Sequence, residues 1–201
     1  MPSFSAERPL SPPRGNMILL EIPALPFRFL IHDTPTDVTL PIYLDAFVAH
    51  RVKHVLRVCQ PAYSVAPLAA RGITVHDLPF QDGAAPPKEV IKQWLQLLDG
   101  LDAGETIAVH CVAGLGRACV MVAVAMIEIG GMKPLDAVEC VRRHRRGAFN
   151  KHQIEYLDGY KCVGRPLRRS GSPPVRNPFA WVFKRKQLEG ATALSLHVHM
   201  S

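Results

Sequence analysis

From about residue 25 onward, short apolar runs alternate with longer stretches in which apolar positions recur at helical spacing. Runs at 28–31, 52–58, 73–78 and 106–109 are dense in Val, Ile, Leu and Phe and read as strands. Segments 41–50, 87–98, 116–129, 134–146 and 151–160 read as helices. Asp33, Thr39, Gly72, Asp99 and Gly104 punctuate them. Strand and helix alternate, so the expected class is α/β, with a central, mainly parallel sheet flanked by helices. The last three helices follow one another with no strand between, and are expected to pack on one side.

The pattern bounds the domain. Residues 1–24 are rich in Pro and Ser and are expected to form a flexible arm. Residues 25–162 carry the domain, and 163–201 form a basic, Pro-rich, flexible tail in which Trp181, Val182 and Phe183 are the one candidate docking patch. A chain of 201 residues with 48% apolar composition fits a single soluble domain. No apolar run reaches the roughly 18 residues that span a bilayer. The start of the chain lacks the basic-then-apolar pattern of a secretory signal.

The formal net charge is +7, and it is unevenly placed. Residues 1–160 hold equal numbers of acids and bases, whereas 161–201 hold eight Lys and Arg against Glu189 alone. Such a tail suits acidic lipid headgroups, nucleic acid or an acidic partner, and equally a plain solvated extension. The five cysteines are odd in number and form no CxxC pair. They argue for reduced thiols rather than a disulfide framework or a zinc site.

The segment from Ile107 to Ala118 contains Cys111, five further residues and Arg117. The spacing alone decides little, because Cys140 with Arg146 and Cys162 with Arg168 satisfy it too. Context separates them. Cys140 lies within an amphipathic helix, and Cys162 in the basic tail. Only Cys111 follows a buried strand, opens a Gly-containing loop and precedes a long helix. A phosphate dianion needs convergent donors, which successive N–H groups at a helix N-terminus provide. The expected cradle is Val112, Ala113, Gly114, Leu115, Gly116 and Arg117, with the two glycines letting the backbone curl. Arg117 offers a planar fork for two phosphate oxygens. The same donors favour a thiolate, the reactive form of cysteine. His110 is expected to hold the loop. The plain alternative is a buried structural cysteine beside a glycine turn.

Displacing an alcohol or phenol oxygen from phosphorus requires a proton for the leaving group. The segment 78–87 ends a strand and carries one acid, Asp82, next to Gly83 and among prolines. In a parallel sheet the C-terminal ends of the strands share an edge, so this loop and the Cys111 loop can face each other. Asp82 is therefore the candidate general acid, with a turn-stabilising role as its alternative. Asp77 sits within the strand pattern and is expected to make a structural hydrogen bond.

These residues resemble the phosphatase-of-regenerating-liver family, a branch of the dual-specificity protein tyrosine phosphatases. The likeness covers roughly residues 27–160. It is carried by Arg28-Phe-Leu-Ile31 with Pro35-Thr36, Arg57-Val-Cys59, Pro79-Phe80 with Asp82-Gly83, His110 through Ala118, Gly130-Gly-Met-Lys133 and Arg145-Arg-Gly-Ala-Phe-Asn150. The resemblance implies the dual-specificity cysteine-phosphatase fold and a phosphocysteine intermediate on Cys111, with Asp82 as acid and Arg117 on phosphate. It implies that Cys59 is a redox partner able to close a disulfide with the nucleophile. It also implies that Arg146 contacts magnesium-transport mediators of the cyclin-M type. No cofactor or metal is implied, and His197 and His199 in the tail are read as incidental.

The chain also departs from the family. Ala118 stands where most cysteine phosphatases have Ser or Thr, as it does in the family, which implies slow turnover. Cys119 stands where the family has proline. The chain ends His-Val-His-Met-Ser, without the family's prenylation motif. The expected enzyme is a protein-tyrosine or dual-specificity phosphatase acting on phosphorylated proteins. It is expected to be cytoplasmic, with nuclear and peripheral-membrane placement as further options. The tail would give weak contact with acidic membranes, and no nucleic acid is expected. Two other readings stand beside it. One is a slow-turnover binding regulator of a transport mediator. The other is a different Cys-loop enzyme, such as an arsenate reductase or a rhodanese-like fold, which the upstream acid loop disfavours.

Overall fold

The computed structural model describes residues 17–163. The remainder of the expected arm, the tail from residue 164 with its aromatic patch, and His197 and His199 lie outside the described residues. Five strands form one sheet in the order β1-β2-β5-β3-β4. They are β1 (Ile18–Glu21), β2 (Arg28–His32), β3 (Val52–Arg57), β4 (Thr74–Asp77) and β5 (Thr106–His110). β1 runs antiparallel to β2, and every other pairing is parallel. β5 lies between β2 and β3 and is buried along its whole length. That explains its unbroken apolar run, since a strand covered on both faces has no polar alternation to show.

Side chains alternate between two helical layers, as the period of two requires. Leu30, Val55 and Ala108 pack with α1 (Leu40–Ala49) and α2 (Ala66–Ala69). Phe29, Ile31, Leu56, Ile107 and Val109 pack on the opposite side with α3 (Lys88–Asp99) and α4 (Arg117–Glu128). All twelve residues of α4 are buried, because α5 (Pro134–His144) and α6 (Lys151–Asp158) close over it. The indole of Trp94 on α3 donates to the Met121 carbonyl of α4 at 2.8 Å. The last three helices thus pack together, as the strand-free run of helices predicts.

The sequence expectation omits the short helix α2, and element ends shift by one or two residues; two differences matter most for the sheet and the site. β1 falls inside the stretch 1–24 read as a flexible arm. Its Leu20 is 1% exposed, and Ile18 through Glu21 pair in register with Ile31 through Arg28. The strand is only four residues long, and Pro23 and Pro26 in the connection to β2 mask its pattern. Helix α5 stops at His144 rather than 146. Arg145 leaves helical geometry at φ −126° and ψ 87°, and its buried side chain turns toward the Cys111 loop. The C-terminal ends of β2, β3, β4 and β5 share one edge, so Thr34, Cys59, the 78–87 segment and Cys111 all emerge there.

Candidate active site

Cys111 follows β5 directly and is 3% exposed. The next five residues curl back to the start of α4, and each of their outward carbonyls is held. Thr34 Oγ1 donates to the Cys111 carbonyl at 2.8 Å, and the Thr34 N–H to that of Val112 at 2.9 Å. The Arg145 guanidinium takes the next two, with Nη2 at 3.0 Å from Ala113 O and Nε at 3.1 Å from Gly114 O. The Cys119 thiol also reaches Gly114 O, at 3.4 Å. The Phe149 N–H donates to Leu115 O at 2.9 Å, and Val120 N–H to Gly116 O at 3.0 Å. There is no cis peptide among the described residues. In a trans peptide the carbonyl and the following N–H point in opposite directions. Tying the carbonyls outward therefore turns the N–H groups of residues 112–117 toward the concave side. A row of such donors at a helix N-terminus is an anion cradle.

Gly114 makes this curvature possible. Its φ is +66°, and a Cβ there would lie 2.5 Å from the His32 carbonyl oxygen and 2.9 Å from Arg145 Nη2. Neither backbone nor guanidinium can yield that much, so the loop and its outer clamp exclude any side chain at this position.

His110 anchors the loop from below. It stacks on His32 with ring centroids 4.8 Å apart. Burial is the main cause lowering both rings, His32 to about 4 and His110 to about 2, so both are neutral near pH 7. Tyr63 Oη lies 2.8 Å from His110 Nε2, and Thr34 Oγ1 lies 3.2 Å from Nδ1. With the Thr34 proton directed at Cys111 O, the consistent arrangement is Tyr63 O–H to Nε2 and Nδ1–H to Thr34 Oγ1. Donors thus run in one direction from Tyr63 to the carbonyl of Cys111. Tyr63 also lies under Arg57, whose guanidinium carbon is 4.9 Å from the ring centroid. Arg57 is bidentate with Asp77, Nη2 to Oδ2 being 2.9 Å. Asp77 has the structural role expected of it, holding β4 to β3 at the root of the acid loop.

The acid loop reaches the cradle through Arg117. This residue opens α4 and is buried, and its Nη1 donates to the Phe80 carbonyl at 3.0 Å. Its Nε lies 3.0 Å from Asp82 Oδ1, an ion pair without hydrogen-bond alignment, since that N–H finds no aligned acceptor. The Asp82 side chain is 76% exposed. The loop is fixed from the other side by Asn150, whose Nδ2 donates to Gly83 O at 3.1 Å. A cleft of about 370 Å³ opens between Asp82, Gly83, Leu115, Gly116, Phe149 and Gln153. Asn150 caps α6 in a reciprocal box with Gln153, which brings Gln153 against Gly116.

The structure brings Cys111, Arg117, Asp82, His110 and the loop residues 112–116 to one place. Ala118 is buried in the first turn of α4. Cys59 is 2% exposed, and its Sγ lies 3.3 Å from Thr34 Oγ1. Arg146 is exposed next to Gly147 at the cleft and makes no hydrogen bond or ion pair with the loop. The neighbouring Arg145 does; sequence reasoning favours a loop bordering the active site for the run Arg142, Arg143, Arg145 and Arg146, but singles out Arg146 rather than Arg145. Thr34 was missed as well, and nothing in its local sequence marks it.

Comparison with known proteins finds phosphatases among the similar chains. A family model described as a polymorphic toxin system DSP-PTPase phosphatase matches residues 44–131. The relative named "Probable protein tyrosine phosphatase type IVA A" in Dictyostelium discoideum is 53% identical over 137 residues, covering 67% of this chain and 82% of the relative. The type IVA 3 phosphatase of Bos taurus is 49% identical over 137 residues, covering 67% and 79%. A solved protein tyrosine phosphatase structure from Leishmania major superposes with a TM-score of 0.66 at 39% identity, covering 73% of this chain and 99% of that one. At this identity and coverage, the chain belongs to the protein tyrosine phosphatase type IVA family.

Proposed function

We propose that the chain hydrolyses phosphotyrosine, and by the same chemistry other phosphomonoesters on proteins, through Cys111. The observation that carries this reading is the Cys111 loop, whose N–H groups converge while Arg117 links it to the acid loop. The Cys111 thiolate attacks phosphorus, so that an S–P bond forms and the P–O bond to the substrate breaks. The equatorial oxygens take the loop N–H groups and the Arg117 fork. Asp82 gives its proton to the departing oxygen. Water then attacks the phosphocysteine and passes a proton to Asp82, which releases inorganic phosphate and restores the thiolate.

Steady hydrolysis of an aryl phosphate after a one-equivalent burst tests this reading. A burst that stalls would instead favour the regulator reading. Ala118 gives the departing thiolate no hydroxyl donor. Ala118→Ser is expected to speed the post-burst phase by roughly tenfold, since a charge-assisted hydrogen bond contributes about 1.5–3 kcal/mol. An unchanged post-burst rate would place the limiting step elsewhere.

Cys59 is proposed as the redox partner of Cys111. Val58 N–H donates to the His110 carbonyl at 3.0 Å, so the two cysteine-bearing segments leave the sheet side by side. Peroxide oxidises the Cys111 thiolate to a sulfenic acid. Cys59 sulfur then attacks that sulfur, and water leaves as the disulfide forms. Burial pushes the Cys59 thiol up, so this attack is expected to quicken as pH rises. After mild peroxide, peptide mapping should find a Cys59–Cys111 crosslink that dithiothreitol reverses with return of activity. Equal recovery in Cys59→Ser would rule out the pairing.

Phosphorylated proteins are the substrates that membership of the family implies. We also propose a magnesium-transport mediator of the cyclin-M type as a partner, a reading supported by the exposed Arg146 next to Gly147 of the cleft. We further propose cytoplasmic residence, nuclear entry or peripheral membrane contact being compatible with the basic composition beyond residue 160.

A further inference from the structure

We infer that Thr34 and Arg145 are positioning residues for phosphate binding, forming a two-sided clamp that sets the peptide dipoles of the Cys111 loop from outside. This rests on the phosphatase reading of that loop. Between them the two residues hold four consecutive carbonyls. Thr34 takes Cys111 and Val112, and Arg145 takes Ala113 and Gly114. Each held carbonyl turns the next N–H inward, so the clamp governs the donors of Val112, Ala113, Gly114 and Leu115. Neither residue is in the loop, and neither is given contact with phosphate.

Both clamps are themselves well supported. The Thr34 hydroxyl is fixed by His110, which Tyr63 orients in turn. Arg145 is 6% exposed, and its side chain closes on the face of Gly114 where a Cβ cannot fit. A loop of two glycines with unheld carbonyls would sample peptide orientations that present oxygen rather than N–H to the anion. An oxygen aimed at a phosphate dianion repels it, so even a partial loss of order weakens binding. Because a preorganised donor set favours the bound oxyanion without reorganisation, the clamp contributes to affinity and to the chemical step together.

The test compares Thr34→Val, Thr34→Ser, Arg145→Met and Arg145→Lys with the unaltered chain, using orthovanadate as the probe. The unaltered chain should be inhibited competitively by vanadate; if it is not, the phosphatase reading fails before the clamp is tested. Given that inhibition, Thr34→Val and Arg145→Met should each weaken vanadate binding by roughly tenfold or more, the worth of one buried hydrogen bond. KM should rise and kcat fall together. Thr34→Ser keeps the hydroxyl and should restore affinity to within a few-fold, whereas Arg145→Lys can reach only one carbonyl and should restore it partly. Thermal melts report whether each variant is folded. Since the two residues hold different carbonyls of the loop, one folded variant suffices. Folded Thr34→Val or Arg145→Met with unaltered vanadate affinity would overturn the inference, as would a loss in Thr34→Ser equal to that in Thr34→Val.

Discussion

Replacing Cys111 with serine is expected to abolish turnover of aryl phosphates while leaving the binding of inorganic phosphate or tungstate intact. The thiolate is the only group removed. Thr34, Arg145 and Phe149 still hold the carbonyls, so the inward N–H groups remain, and Arg117 is untouched. A serine hydroxyl is a far weaker nucleophile near pH 7, and the loop supplies no base to activate it. The other cysteines are controls. Cys119 is buried in α4 with its thiol pushed up to about 12, chiefly by burial, and Cys140 lies in α5. Cys140→Ser should leave turnover unchanged. Retained activity in Cys111→Ser, with loss in Cys140→Ser, would refute the assignment.

Asp82→Asn is expected to slow hydrolysis of alkyl and phenyl phosphates by about 10²–10⁴, the usual worth of a positioned acid. A substrate whose leaving group departs without a proton should be slowed far less. The contrast is the diagnostic feature, because loss of a loop-fixing contact would slow both alike. The loop has other anchors, namely Arg117 on Phe80 O and Asn150 on Gly83 O, so the asparagine variant should keep its place. Equal slowing of both substrates would give Asp82 a structural role and require another acid.

The parts of this site that the sequence reveals are those built from neighbours in the chain. Strand β5, the loop with Gly114 and Gly116, and helix α4 follow one another, so their chemistry is legible as a single segment. Asp82 is separable from Asp77 because one follows a strand and the other lies in it. The supporting residues are different in kind. Thr34 acts on Cys111 across 77 positions and Arg145 on Gly114 across 31, and only the folded sheet edge brings them together. Arg145 stands beside Arg146 in a basic run, and composition cannot say which one turns inward. β1 was hidden for a local reason. Four residues with prolines after them carry too little periodicity to announce a strand, and its partner β2 supplies the order.

Phosphate is expected to pass through the sulfur of Cys111, and trapping that phosphocysteine is the decisive experiment. Unaltered protein mixed with an excess of aryl phosphate and quenched in acid within the burst would be digested and mapped by mass spectrometry. One phosphate per chain is expected, on the peptide that contains Cys111, and none on peptides containing Cys59, Cys119, Cys140 or Cys162. Full turnover with no phosphate on Cys111, or with phosphate on another residue, would contradict it.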